Sequence, residues 1–174
     1  GDSLLVAPVI GEGKRERPVY FPRGTWYAFE RPGECYEGSA FHTVKSPLTR
    51  IPLFVRAGAV IGRYCHSPQH LKGSAPGRMR VDLYPGTGRC NSTFIDGERR
   101  LSLSAGWHDG SVAFTATAAP LTLELHLYGL AGARIDTEAT PAKERSTRQA
   151  HIVSLPCHEG VSLQATPHAG GGKR

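Results

Sequence analysis

The sequence predicts an all-β fold, built as two small antiparallel β-sandwich domains in tandem. Three observations carry this expectation. No window keeps apolar side chains at the three-and-four spacing of an amphipathic helix. The 174 residues include 21 glycines and 13 prolines spread along the whole chain, which leaves room for short strands joined by turns. Several apolar runs alternate with polar residues, most plainly Leu121, Leu123, Leu125 and Leu127 against Thr122, Glu124 and His126. That period of two belongs to a strand with one buried and one wet face.

Taken in order, Leu4 to Val9 is a continuous apolar run that suits a strand buried on both faces. Gly11 to Arg17 is charged and reads as an exposed loop. Pro18 to Phe21 and Thr25 to Phe29 are strands flanking Pro22-Arg23-Gly24, where proline presets one dihedral and glycine permits a positive φ. Phe41 to Lys45 alternates. Ile51 to Ile61 is the longest apolar stretch, broken at Arg56 and Gly58. The composition then changes, and Gly62 to Arg78 reads as a linker or long loop. The expected division is therefore a first sandwich over residues 1–61, a connection over 62–78, a second sandwich over 79–167 and a disordered tail over 168–174.

In the second half Met79, Val81 and Leu83 alternate with Arg80 and Asp82. Ser92 to Ile95 leads into Asp96-Gly97, and Leu101 and Leu103 follow. Asp109-Gly110 precedes Val112 and Phe114; both Asp-Gly pairs are strong hairpin signals. Thr137 to Gln149 is polar and reads as a loop. Ile152 to Leu155 and Val161 to Ala165 read as a last hairpin.

Lys and Arg (21) exceed Asp and Glu (15), for a formal net charge of +6. The basic residues are scattered as Lys14-Arg15, Arg99-Arg100, Lys143, Arg145 and Arg148, with no basic helix or aromatic-interleaved stripe. They read as solvated surface charge rather than a nucleic-acid footprint, so no nucleic-acid partner is expected. No apolar run approaches the ~18 residues of a bilayer span, and no membrane partner is expected. Cys35, Cys65, Cys90 and Cys157 lie far apart with no C-x-x-C pair. The neighbours in Cys65-His66 and Cys157-His158 would point to opposite faces of a strand, so no metal site is expected. These read as free thiols, buried or half-buried. Gly11-Glu12-Gly13 and Gly86-Thr87-Gly88 lack the strand–turn–helix setting of a phosphate loop, and no cofactor is expected. Asn91-Ser92-Thr93 satisfies the glycosylation pattern and reads as a chance occurrence.

Three segments carry a resemblance. Gly1-Asp2-Ser3-Leu4-Leu5-Val6-Ala7-Pro8-Val9, then Val19-Tyr20-Phe21-Pro22-Arg23-Gly24-Thr25-Trp26-Tyr27, then Pro47-Leu48-Thr49-Arg50-Ile51-Pro52-Leu53-Phe54-Val55-Arg56-Ala57 stand in one order and spacing. Together they resemble the region following the catalytic barrel in family 31 glycoside hydrolases, the α-glucosidase and α-xylosidase group. A weaker echo runs through Val81-Asp82-Leu83-Tyr84-Pro85-Gly86 and Phe94-Ile95-Asp96-Gly97-Glu98, similar to the start of that family's distal C-terminal domain. There Ile95 replaces the first of two usual acids.

The resemblance implies a non-catalytic C-terminal portion of an α-glycosidase, partnered by a catalytic (β/α)8 barrel that performs α-O-glycosidic hydrolysis. It implies that the chain alone is inactive. A retaining glycosidase needs two carboxylates about 5 Å apart. Asp2, Asp82, Asp96, Asp109 and Asp136 lack the sequence context of the family's catalytic aspartates and read as turn residues or surface charges, so no catalytic residue is assigned. Trp26, Tyr27 and Phe29 read as one aromatic cluster of a core. The competing reading is an autonomous carbohydrate-binding module stacking sugar on Trp26, Tyr27 and Trp107. With no barrel present, the face of Leu4, Val6, Leu53 and Val55 is expected to be exposed.

Overall fold

Sixteen strands follow one another, with no helix among the described residues. The structure, a computed structural model, describes residues 2–29, 31–47, 49–65, 77–96, 99–117 and 121–167. Six strands make the first pair of sheets: β1 (Leu4–Val6), β2 (Glu16–Phe21), β3 (Thr25–Ala28), β4 (Arg31–Glu37), β5 (Ala40–Lys45) and β6 (Leu53–Arg56). One sheet runs β1-β6-β3-β4, and β2 with β5 forms a two-stranded layer over it. The Pro22–Gly24 turn thus carries the chain from one sheet to the other. Phe21 sits at the centre of the core between them, stacked on Tyr36 (centroids 4.8 Å, planes 4° apart) and edge-on to Phe54 at 4.7 Å. Val19, Trp26, Ala28 and Val44 complete it.

The second pair of sheets is larger. One holds β13 (Arg134–Asp136), β16 (Gly160–Thr166), β11 (Ser111–Thr117), β10 (Arg99–His108) and β9 (Gly88–Asp96), in that order. The other runs β14 (Lys143–Ser146), β15 (Ala150–Cys157), β12 (Leu121–Tyr128), β8 (Arg78–Leu83) and β7 (Val60–Tyr64). Leu83, Leu103, Phe114, Leu123, Leu125, Leu127 and Leu155 fill the space between them. All pairings but one are antiparallel; β8 and β12 run parallel, with Val81 opposite Leu125. The intervening β9, β10 and β11 lie in the facing sheet. At the β10–β11 hairpin His108 pairs with Ser111, and Asp109 (φ 46°) and Gly110 (φ 75°) take the left-handed conformations of a type I′ turn.

Several segments depart from the sequence reading. Instead of a run buried on both faces, only Leu4–Val6 pairs, as an edge strand with Leu4 43% and Val6 58% exposed. Gly62, Arg63 and Tyr64, assigned by composition to the connection, extend β7 along β8. β4 was hidden by Pro32 and Gly33, which an edge strand tolerates. Lys143–Ser146, expected in a loop, is an exposed edge strand whose polarity removed the apolar signal. β15 and β16 are no hairpin: β15 pairs with β12 and β14, while β16 pairs with β11 and β13 in the opposite sheet. Finally, the β12 face expected to be wet is largely covered: His126 and Tyr128 are buried, and Thr122 and Glu124 are half-buried. Most of the connection (66–76), Gly97 of the first Asp-Gly turn and the tail from 168 lie outside the described residues.

Leu125 is wholly enclosed, whereas Leu4 is an exposed edge residue. Leu125→Ala is expected to cost about 3 kcal/mol, and Leu4→Ala less than about 0.5 kcal/mol. Urea denaturation midpoints check both, and equal midpoints would contradict this placement of the core.

Candidate functional site

Alternation along β3 sends its two aromatic residues to opposite faces. Trp26 enters the first core, 2% exposed, and its Nε1–H donates to the Pro22 carbonyl at 2.8 Å. Tyr27 faces the other way and, with Phe29 just past the strand, packs on a separate cluster of Val55, Ala59, Tyr84, Tyr128, Ala150 and Ile152. The three aromatics expected to form one cluster therefore serve two. The second cluster is a seam between the sheet pairs. Tyr84 is its hub, 6.1 Å from Tyr27 and 4.8 Å from Tyr128 between centroids. Backbone closes the seam too: Gly58 N–H donates to the Pro85 carbonyl at 2.9 Å and Tyr84 N–H to the Ala59 carbonyl at 3.0 Å. A Cβ on Gly86 would fall 2.2 Å from the Gly58 nitrogen, so the Tyr84-Pro85-Gly86 segment needs glycine for this contact.

A buried charge cluster adjoins the aromatics. On β8, Met79, Val81 and Leu83 point into the second core, leaving Arg80 and Asp82 on the face toward the seam. Asp82 is fully enclosed, which corrects its reading as a turn or surface charge. Arg80 Nε donates to its Oδ1 at 2.7 Å, and Arg80 Nη2 donates to the Tyr128 hydroxyl at 2.7 Å. Arg63 Nε lies 2.8 Å from Oδ2, with the N–H off the direct line, so this contact is an ion pair rather than a directed hydrogen bond. The same guanidinium sits 5.0 Å over the Phe29 ring. One arginine thus ties the buried carboxylate to an aromatic residue following β3. Burial, then the charge of Asp82, pushes the Tyr128 phenol above its ordinary range.

Beside the cluster a cavity of about 210 Å³ is lined by Arg80, His126, Tyr128, Thr147, Gln149 and Ile152. His126 Nε2 lies 2.7 Å from Glu124 Oε1. Burial holds His126 below its ordinary value despite that carboxylate, with Arg80 acting in the same sense. For Glu124, burial works upward, but the His126 hydrogen bond and the charges of His126, Arg78 and Arg145 together bring the carboxyl below its usual range. A larger open groove of about 710 Å³ lies on the first sheet pair, between Arg31, Glu34 and Tyr36 of β4 and the segment Ser46 to Phe54. Its Arg31 and Glu34 form an ion pair with each other.

The other sequence candidates are dispersed. Asp2 is an exposed turn residue, Asp109 occupies the β10–β11 turn, and Asp136 ends β13, exposed and 3.8 Å from Arg134. Asp96 ends β9, paired with Arg99. Trp107 is 5% exposed in the second core, so neither tryptophan offers a ring to a sugar. The four cysteines form no disulfide; Cys157 is buried and Cys90 half-buried, but Cys35 and Cys65 are exposed, contrary to expectation. Asn91 is exposed on β9. Among the described residues no three His, Cys, Asp or Glu side chains gather into a metal-holding group. Asp82 escaped the sequence reading, although its place in an apolar alternation between two arginine-bearing segments was the available signal.

Residues 1–61 match the glycosyl hydrolase family 31 C-terminal domain. The chain carries a family 31 C-terminal region. It is 44% identical over 62 residues to an α-xylosidase of Saccharolobus solfataricus, and 31% identical over 99 residues to a 1,6-α-glucosyltransferase of Sporosarcina globispora. These alignments take in 35% and 55% of this chain and 8% of each enzyme. Among solved structures, the family 31 dextranase of Flavobacterium johnsoniae superposes over 95% of this chain and 26% of its own, with a TM-score of 0.74 at 20% identity. That likeness shows the fold, well past residue 61.

Asp82→Asn leaves Arg63 and Arg80 facing each other without their anion, and is expected to cost about 3 kcal/mol. Gly86→Ala forces the Gly58 backbone away and is expected to lower the urea midpoint as well. Wild-type midpoints in either variant would refute the seam's role. Both His126 and Glu124 bind protons less readily folded than unfolded. Their contribution is therefore complete above the ordinary histidine value of about 6.5, and it is lost as pH falls through that range and the carboxylate range below. Thermal melts of wild type and His126→Gln between about pH 7 and pH 4 should show a shallower decline in the variant; superimposable pH dependences would remove His126 from this account.

Proposed function

We propose that this chain is the brace of an α-glycosidase: a non-catalytic C-terminal portion that packs against a (β/α)8 barrel, which hydrolyses α-O-glycosidic bonds. The observation that carries the proposal is the family match over residues 1–61, in a chain whose alignments cover between 6% and 12% of the relatives it matches. The architecture supports it. Two sheet pairs joined by an aromatic seam, a buried ion cluster and backbone hydrogen bonds make a stiff body. Leu4 and Val6 on β1, with Ile10 and Ile51, leave apolar surface open for a large neighbour, whereas Val55, expected on that open face, is buried and Leu53 is half-buried. We divide the chain within Ala57–Ala59, so that β7 travels with the second unit. The reaction itself is assigned to the barrel, and no residue of this chain is given a catalytic role.

Incubated alone with aryl α-glucosides and aryl α-xylosides, the chain should release no more phenol than a blank. Turnover that follows the protein through purification would place a reactive centre within these residues and end the proposal. An apolar dye should bind the chain and be displaced when a catalytic domain is supplied in trans; a dye-silent surface would count against bracing.

A further inference from the structure

The outer face of the β2–β5 layer carries two aromatic side chains that no core uses. Tyr20 and Phe41 are directly opposite in the antiparallel register, so they share one face. Their ring centroids are 5.2 Å apart with planes tilted by 58°, and they are 50% and 71% exposed. Their chain neighbours Phe21 and His42 point the other way, where the two rings meet edge-on at 5.5 Å. The exposed pair is thus a feature of the outer face rather than a displaced part of the core.

Size and charge restrict what this face can hold. The two rings offer roughly 250 Å² of open surface, well short of the ~800 Å² that each partner contributes to a stable protein interface. In register beside them come Pro18 opposite Thr43, then Glu16 opposite Lys45. One acid and one base face each other there, so the border is hydroxyl-bearing and charge-balanced. A ligand that matches is neutral, a few ångströms across, apolar on its flat face and hydroxylated at its edge. A pyranose ring has that shape, with C–H groups on its faces and hydroxyls around its rim, and two tilted aromatic rings can receive two consecutive residues. Tyrosine and phenylalanine also lose little freedom on binding, having two side-chain torsions each.

We infer that Tyr20 and Phe41 form a shallow binding platform for a neutral oligosaccharide, two of whose pyranose rings lie on the two aromatic faces. The platform does not depend on the bracing role, and the hydrolysis and dye experiments above leave it untouched.

Native gel electrophoresis with and without dextran or soluble starch tests it on the chain as it stands, together with amide NMR titration by isomaltotriose and maltotriose. Retarded migration is expected, with shifts confined to β2 and β5. Phe41→Ala should weaken binding about tenfold or more, equivalent to 1.4 kcal/mol, without changing the melting temperature. Phe41→Trp should retain binding. Absence of both retardation and shifts would overturn the inference, as would shifts centred on the β4 groove or retardation that survives the Tyr20→Ala/Phe41→Ala double variant. Self-association abolished by Phe41→Ala would overturn it too, assigning the pair to a contact between copies.

Discussion

The central strands β15, β12 and β8 of the sheet β14-β15-β12-β8-β7 are packed on both sides, and the rest of the structure is arranged around that constraint. Its inner face meets the second core through Val81, Leu83, Leu123, Leu125 and Leu127. Its outer face carries Asp82, Tyr84, His126, Tyr128 and Ile152, all buried. Polar atoms on a covered sheet must find partners in place of water. The arginines of β7 and β8 supply them for Asp82, the Tyr128 hydroxyl joins through Arg80, and Glu124 serves His126. The seam cluster of aromatics then excludes solvent from the same region, which strengthens each of these charged contacts.

A seam made only of Tyr27, Tyr84, Tyr128 and Ile152 would hold the two sheet pairs together, since burial of apolar surface is favourable in many orientations. The cluster at Asp82 adds direction. Arg63 must satisfy a carboxylate on β8 while lying over Phe29, and the Gly58–Gly86 approach leaves no room for a different spacing. Buried ion pairs contribute little net stability compared with apolar substitutes. Their cost is better understood as the means of fixing one relative placement of the two sheet pairs.

Much of the fold was legible because burial on one face imprints a period of two. The leucines of β12, the Asp109-Gly110 hairpin and the alternation of β8 were all readable for that reason. Strands without the imprint were missed: β4, where Pro32 and Gly33 sit on an edge, and β14, which is exposed along its length. Pairing partners were harder still. β15 and β16 are adjacent in sequence and each apolar enough for a hairpin, yet they lie in facing sheets because each fits between other strands there. The seam was invisible for a related reason. A polar alternate position reads as wet, and nothing local in Asp82, His126 or Tyr128 reveals that a second layer covers them.

The aromatic residues divide into two kinds, those buried in the cores and those left on the surface. Trp26 and Trp107, the residues most suggestive of sugar stacking in the sequence, are spent inside the cores, where large rings contribute most. Tyr20 and Phe41 drew no such reading, because an exposed tyrosine and phenylalanine one residue from core positions look like ordinary members of alternating strands. Only the register exposes the difference. Tyr20 opposite Phe41 places two rings together on the face that Phe21, Val44 and Val19 leave free. Among the described residues no element covers that face, where Tyr20 and Phe41 are 50% and 71% exposed. The small open area of the pair and its charge-balanced border at Glu16 and Lys45 set it apart from the aliphatic surface of β1, and a sugar ring matches both properties.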